Sequence, residues 1–160
     1  MSELKLDIGC GGRPTGDVNL DLYPEDRGQF NETWKPKEVP HFILGDAQAL
    51  PFRDKVFTDL VAYHLIEHLP EPLAGLREFE RVADQVELTT PSQFSTDRTP
   101  SHLYTWNPFT FGNILRQVFS QVKVEYKADK PFLPGSRKLT LLNPVFKALG
   151  IHREIRGRCH

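Results

Sequence analysis

Cysteine is scarce: the 160-residue chain has two, Cys10 in a glycine-rich stretch and Cys159 beside the last residue. So few thiols exclude a disulfide framework and point to a reducing, cytoplasmic setting. An excess of one charge is also lacking. Lys and Arg total 20 against 21 for Asp and Glu, a formal net charge of -1, which removes the general electrostatic reason to expect nucleic acid or an anionic membrane as partner. The local exception is the tail HREIRGRCH, where Arg153, Arg156 and Arg158 make a positive end that is expected to be solvated. No apolar run approaches the ~20 residues of a membrane span, and the N-terminus has no apolar signal-peptide stretch. A protein of the cytoplasm, away from membranes, is the expectation. There is no internal repeat, and 39% hydrophobic content suffices for one core, so residues 1–160 read as a single domain.

The stretch around which the chain is organised is Leu4 to Pro14, LKLDIGCGGRP. An apolar run, Leu4, Leu6 and Ile8, ends in glycines, the mark of a buried strand that stops at a tight turn. Glycines at 9, 11 and 12 leave no side chain between backbone and ligand, and in an open α/β sheet such a loop lies where ligands bind, outside the carboxyl ends of the strands. Val18-Asn19-Leu20-Asp21-Leu22 follows with the alternation of a half-buried strand. A parallel crossover takes a dozen or more residues with a helix, yet residues 9–17 contain Pro14 and leave room for one turn at most. The first crossover helix is therefore expected to be missing or vestigial.

Residues 24–41 carry Pro24, Pro36 and Pro40 and read as loop with at most a short helix. Phe42 to Leu44 gives a short strand before Gly45-Asp46-Ala47, and Asp59 to Tyr63 an apolar one, as for a parallel strand covered on both faces. Pro72 opens an amphipathic helix over 71–83, with Leu73, Leu76, Phe79 and Val82 at helical spacing. Val86 to Thr90 is a strand stopped by Pro91. Asn107 is an N-cap with Pro108 at the first helical position, and Val122, Val124 and Tyr126 alternate with charged residues in a strand with one exposed face. Lys138 to Leu142 reads as the last strand, antiparallel to the preceding one.

In order and local wording, LDIGCGGRP, VNLDL, GDAQALPF, FTDLVAYHLIEHLP, the strand ending in TTP and HLYTWNPFTFGNILRQVF resemble the small class I S-adenosylmethionine-dependent methyltransferases of type 11. The resemblance covers about residues 4–127. It implies an α/β, Rossmann-like methyltransferase fold: a mostly parallel seven-stranded sheet with an antiparallel end, here with a shortened first crossover. It also implies S-adenosylmethionine as cofactor and S-adenosylhomocysteine as product. Carried over by position, Asp7, Gly9 and Gly11 would lie against the methionine part. Asp21, with Leu22 beside it, would take the ribose hydroxyls. Asp46 would accept from the adenine amino group, with the Ala47 amide near the ring, and His64 would lie close to the transferred methyl. A carboxylate is a strong acceptor for such groups. The chain departs from the family pattern at Arg13, which stands where the third loop glycine is usual, and at Asp21, which follows the loop closely.

His64-Leu65-Ile66-Glu67-His68 matches H-x-x-E-H, the inverted zinc-protease motif. That motif needs a long helix, and Leu69-Pro70-Glu71-Pro72 ends any helix at once, so no metal is expected. His68 and His64 are instead catalytic candidates as general base, against a purely orienting role for Glu67 and His68. Cys10 reads as a packed residue, and Tyr104 and Trp106 as the roof of a substrate pocket or as core. The expected reaction is methyl transfer to an O, N or C nucleophile of a small-molecule acceptor. The alternatives are methylation of RNA or protein, with nucleic acid disfavoured by charge, and a non-catalytic methyltransferase-like partner subunit.

Overall fold

The computed structural model describes residues 3–24, 34–93, 95, 99–126 and 154–160. Among them a seven-stranded sheet runs in the order β3-β2-β1-β4-β5-β7-β6. The strands are β1 (Lys5–Ile8), β2 (Val18–Asp21), β3 (Phe42–Leu44), β4 (Phe57–Tyr63), β5 (Ala83–Pro91), β6 (Val122–Tyr126) and β7 (Glu154–Cys159). β1 to β5 are mutually parallel, and β7 lies antiparallel between β5 and β6. The expected mixed sheet with an antiparallel end is observed. Successive strands step outward from β1 to β3 and then return to β4 on the other side of β1. The carboxyl ends of β1 and β4 thus flank the switch in strand order, the place where open α/β sheets bind ligands.

Helix α1 (Pro72–Val82) starts on its proline and presents Leu76, Phe79 and Val82, each 0% exposed, to the sheet. Burying each such side chain contributes on the order of 1.5–3 kcal/mol. The chain turns from α1 into β5 without a loop, Ala83 already being extended; the strand begins three residues before the apolar run at Val86. Helix α2 (Pro108–Leu115) has the cap its sequence promises. Asn107 Oδ1 accepts from the amides of Phe109 and Thr110 at 2.9 and 3.0 Å, while Asn107 N–H donates to Thr110 Oγ1, a closed capping box. Phe111 and Leu115 pack this helix on the sheet. The approach requires Gly157, since a Cβ there would lie 2.7 Å from Leu115 Cδ1 and 3.1 Å from Phe111 Cε1.

The tail corrects the sequence reading. Its residues Glu154–Cys159 are not a solvated basic extension but the strand β7, in which Ile155, Gly157 and Cys159 are buried and Arg156 and Arg158 face the other way. The arginines are not left bare: Arg158 Nε donates to Glu87 Oε2 at 3.0 Å, Arg156 Nε lies 3.4 Å from Glu87 Oε1, and both approach Glu125. Burial of alternate residues decides the outcome, because a period of two places one face in the core whatever the charge of the other. The strand expected at Lys138–Leu142 lies outside the described residues.

Residues 9–17 contain no helix, so the first crossover is a bare turn between parallel strands in register Leu6↔Val18, Asp7↔Asn19 and Ile8↔Leu20. Cover for that turn comes from later in the chain. Cys10, Trp34 and Val39, with Phe42 packed against them, form an apolar cluster separate from the main core. A Cβ on Gly12 would meet Trp34 Cβ at 2.7 Å, so the indole lies directly on the turn where a crossover helix would otherwise sit. A short 3-10 turn, Pro36–Glu38, precedes β3. Among the described residues no helix is long and apolar enough to cross a membrane.

Candidate cofactor and acceptor site

The turn after β1 is held by main-chain bonds that glycine makes feasible. Gly9 and Gly11 adopt φ of 69° and 51°, a region costly for other residues. The amides of Gly9 and Cys10 both donate to Leu20 O, at 2.8 and 3.3 Å. Gly11 N–H donates to Asp21 Oδ2 at 2.9 Å, and Tyr23 N–H to Oδ1 at 2.9 Å. Asp21 therefore ties the glycine turn to the end of β2 with one bond on each oxygen, and a carboxylate has room for about two acceptor contacts more. A Cβ on Gly11 would meet nothing within 4 Å, so this side of the turn is open.

Asp7 is 3% exposed, and its Oδ2 accepts from both Thr15 N–H at 2.8 Å and Thr15 Oγ1–H at 2.9 Å. Burial raises its pKa, and the Thr15 bonds and Lys5 work against that rise. Its carboxylate serves the closure of the 9–17 turn. Asn19, absent from the sequence-based site, does the same from β2. Its side chain is fully buried, donating through Nδ2 to Pro40 O at 2.7 Å and Gly16 O at 3.1 Å and accepting at Oδ1 from Gly16 N–H at 3.0 Å. The only hint of it in the sequence is a polar residue between the apolar positions of a strand.

Asp46 lies just past β3, whose end is paired with β2 by Asp21↔Leu44. Its Oδ1 accepts from Gln48 N–H at 2.8 Å, Ala47 beside it is buried, and Gly45 N–H donates to Asp21 O. Leu22, 44% exposed, completes this rim. The glycine turn, Asp21, Leu22, Asp46 and Ala47 thus gather at the carboxyl ends of β1, β2 and β3.

From the other side of the switch, β4 delivers His64 in a left-handed conformation, φ 53°, with its amide bonded to Thr89 O. Leu65 packs on Gly9, where a Cβ would stand 3.1 Å from Leu65 Cδ1. The ring of His64, 39% exposed, lies between two carboxylates: Nδ1 is 3.6 Å from Glu67 Oε1, and Nε2 is 3.7 Å from Glu154 Oε1. Desolvation alone pushes its pKa down, but Glu154 and Glu67 more than reverse this and hold it at about 9. His64 is therefore a cation at neutral pH. Cys10, buried near Asp21 and Asp7, has its thiol pushed up to about 12 by burial first and by those carboxylates second, which makes it a poor nucleophile.

After His64 the chain makes a single 3-10 turn, Ile66–His68, in place of the helix an H-x-x-E-H zinc peptidase needs. The segment 99–107 lies against this turn. Leu103 N–H donates to Glu67 O at 2.8 Å, Tyr104 O–H to Pro70 O at 2.9 Å, and His68 Nδ1 is 3.2 Å from Ser101 O. Trp106 is 8% exposed and belongs to the core, whereas Tyr104, stacked on it at 5.6 Å, is exposed. Of the two aromatics offered as roof or core, Trp106 is core and Tyr104 is exposed beside it.

A family model described as a methyltransferase domain matches residues 6–85, half of the chain. No curated protein matches. Among solved structures, a Thermotoga maritima S-adenosylmethionine-dependent methyltransferase, described as a possible histamine N-methyltransferase, superposes with TM-score 0.69 at 14% identity over 99% of this chain and 82% of its own. The [4+2]-cyclase SpnF gives 0.64 at 15% identity, covering 99% and 75%. Phosphoethanolamine N-methyltransferase 2 of Haemonchus contortus, in complex with S-adenosylmethionine, gives 0.62 at 14% identity, covering 99% and 48%. At these identities the structures speak for the fold, and the family is carried by the matched domain. The chain belongs to the methyltransferase-domain family and is a class I, S-adenosylmethionine-dependent methyltransferase.

Proposed function

We propose that this enzyme transfers the methyl group to an oxygen, nitrogen or carbon nucleophile of a small-molecule acceptor, with S-adenosylhomocysteine as product. The observation that carries the cofactor side of this reading is the Asp21 carboxylate, braced by Gly11 and Tyr23 amides beside an open glycine turn. Such a cradle fits a nucleoside whose ribose presents two hydroxyls. In this reading Asp21 and Leu22 hold the ribose, Asp46 accepts from the adenine amino group with the Ala47 amide near the ring, and Gly9 and Gly11 let the methionine part approach the backbone. Asp7 acts one step removed, by closing the turn on Thr15.

When bound, S-adenosylmethionine supplies a methyl group already activated by its sulfonium charge. The chain's own contribution is then alignment and exclusion of water. His64 and His68 are the acceptor-side residues. The two carboxylates flanking His64 favour a role as hydrogen-bond donor and fixed positive charge over one as general base at neutral pH. A small acceptor is supported by two features: the 99–107 segment drawn onto Glu67 and Pro70, and the pairing of Arg156 and Arg158 with Glu87, which offsets the positive charge of β7.

The test is incubation of the enzyme with methyl-labelled S-adenosylmethionine and a panel of small amines, phenols and carboxylates, with total RNA and denatured protein as parallel arms. Label is expected in a small acceptor. Label confined to RNA or protein would overturn the small-molecule reading while leaving the methyltransferase assignment intact.

A further inference from the structure

We infer that Glu67, His68 and His102 form a binding site for one divalent transition-metal ion of the zinc type. Each offers one ligand atom, and these atoms lie within 4.8 Å of one another. Ligands on a tetrahedral zinc at ~2.0–2.1 Å stand about 3.3 Å apart, so side-chain rotation of order 1 Å closes the set.

Three further observations point to an ion here. First, the Glu67 side chain is 1% exposed and neither of its oxygens has a hydrogen-bond partner; the imidazole of His64 pairs with Oε1 across 3.6 Å, which leaves the acceptor capacity of Oε2 unmet. A buried carboxylate with spare acceptor capacity is costly unless a cation or donors meet it. Second, His68 Nδ1 lies 3.2 Å from Ser101 O. Donating there leaves Nε2 with the lone pair, which is the way ligating histidines are usually oriented, the second ring nitrogen bonded to a carbonyl. Third, the contributing segments are locked together independently of any ion. Leu103 N–H bonds to Glu67 O, Tyr104 O–H bonds to Pro70 O, and the rings of His68 and His102 meet edge to face at 4.7 Å.

The donor set decides the class of ion. One carboxylate and two imidazoles suit zinc and its neighbours better than magnesium or calcium, which take oxygen ligands. Three protein ligands also leave a coordination position open, as catalytic zinc sites do. The motif H-x-x-E-H thus fails as a peptidase site but contributes its glutamate and second histidine, joined by a histidine that only the fold brings near. An ion here would pin the 99–107 segment to the turn after β4, beside His64. The inference stands apart from the acceptor reading, because ion binding is measured without cofactor or acceptor.

The experiment is titration of chelator-stripped protein with Zn²⁺ in competition with a chromophoric chelator, and with Co²⁺ read by its visible absorption. One ion per chain is expected, with Co²⁺ giving the intense bands of low coordination number. His102→Ala and Glu67→Gln are each expected to weaken Zn²⁺ binding by more than about 10-fold, the lower end of what losing even an outer-shell partner costs. His41→Ala, on the distant edge of the sheet, is expected to leave it unchanged. Should Glu67→Gln fail to fold, His102→Ala decides alone. No stoichiometric binding by the wild type, or equal binding by His102→Ala, would overturn the site.

Discussion

Replacing Asn19 with alanine tests whether a buried amide holds the ligand-binding turn in place of the missing crossover helix. The side chain is 0% exposed and makes three bonds, two to Gly16 and one to Pro40 O. Pro40 is exposed, so water replaces its lost partner at little cost. Gly16 is half-buried, and its N–H and C=O are left with restricted access to water. At roughly 1–3 kcal/mol for each buried orphan, discounted for that access, the loss is about 2–4 kcal/mol. With a urea m-value of about 2 kcal/mol/M, the middle of the usual range, the unfolding midpoint falls by roughly 1–2 M. The assay is urea denaturation followed by tryptophan fluorescence, since Trp34 lies on the same turn. Asn19→Asp sharpens the test: it keeps an acceptor for Gly16 N–H but turns a charge toward two carbonyls. It is expected to be at least as unstable as the alanine variant at neutral pH, and to recover in mild acid, where a protonated carboxyl can donate. A midpoint for Asn19→Ala within about 0.2 M of wild type would refute the reasoning.

Gly157→Val places methyl groups where even a Cβ lies 2.7 Å from Leu115 and 3.1 Å from Phe111, and is expected to cost about 1–3 kcal/mol by overpacking, read as a lowered denaturation midpoint. Trp34→Ala removes the cover of the glycine turn and is expected to cost about 3 kcal/mol and to weaken cofactor binding in calorimetry, although Trp34 belongs to a cluster separate from the main core. An unchanged cofactor affinity in folded Trp34→Ala would show that the turn keeps its shape without the indole.

Elements with a strong local signal were legible in the sequence. The capping residue Asn107, the proline opening α1, and the apolar run of β4 each act through neighbours a few positions away. The absence of the first crossover helix was legible for the same reason, since Pro14 and the short spacing before Val18 forbid it. What escaped is what depends on long-range contact. The strand in the tail was obscured by its arginines, whose charge is absorbed by Glu87 and Glu125 on strands far back in the chain; its alternation of Ile155, Gly157 and Cys159 was the available signal. Asn19 reads as an ordinary strand residue until Gly16 and Pro40 close on it. His102 has no motif of its own and acquires meaning only because Leu103 and Tyr104 bond to the turn that carries Glu67 and His68. Likewise, a free imidazole is the default for His64 until Glu67 and Glu154 are seen on either side.

The most direct test of the central claim is calorimetric titration of the purified protein, wild type and Asp21→Ala, with S-adenosylmethionine and with S-adenosylhomocysteine. Saturable binding of both by the wild type is expected, and in the folded variant a loss of about 1–3 kcal/mol, the scale of hydrogen bonds to a charged group, or roughly 5- to 150-fold in Kd. Absence of binding to folded wild-type protein would contradict the account, and equal affinity in Asp21→Ala would remove the β2 carboxylate from the site.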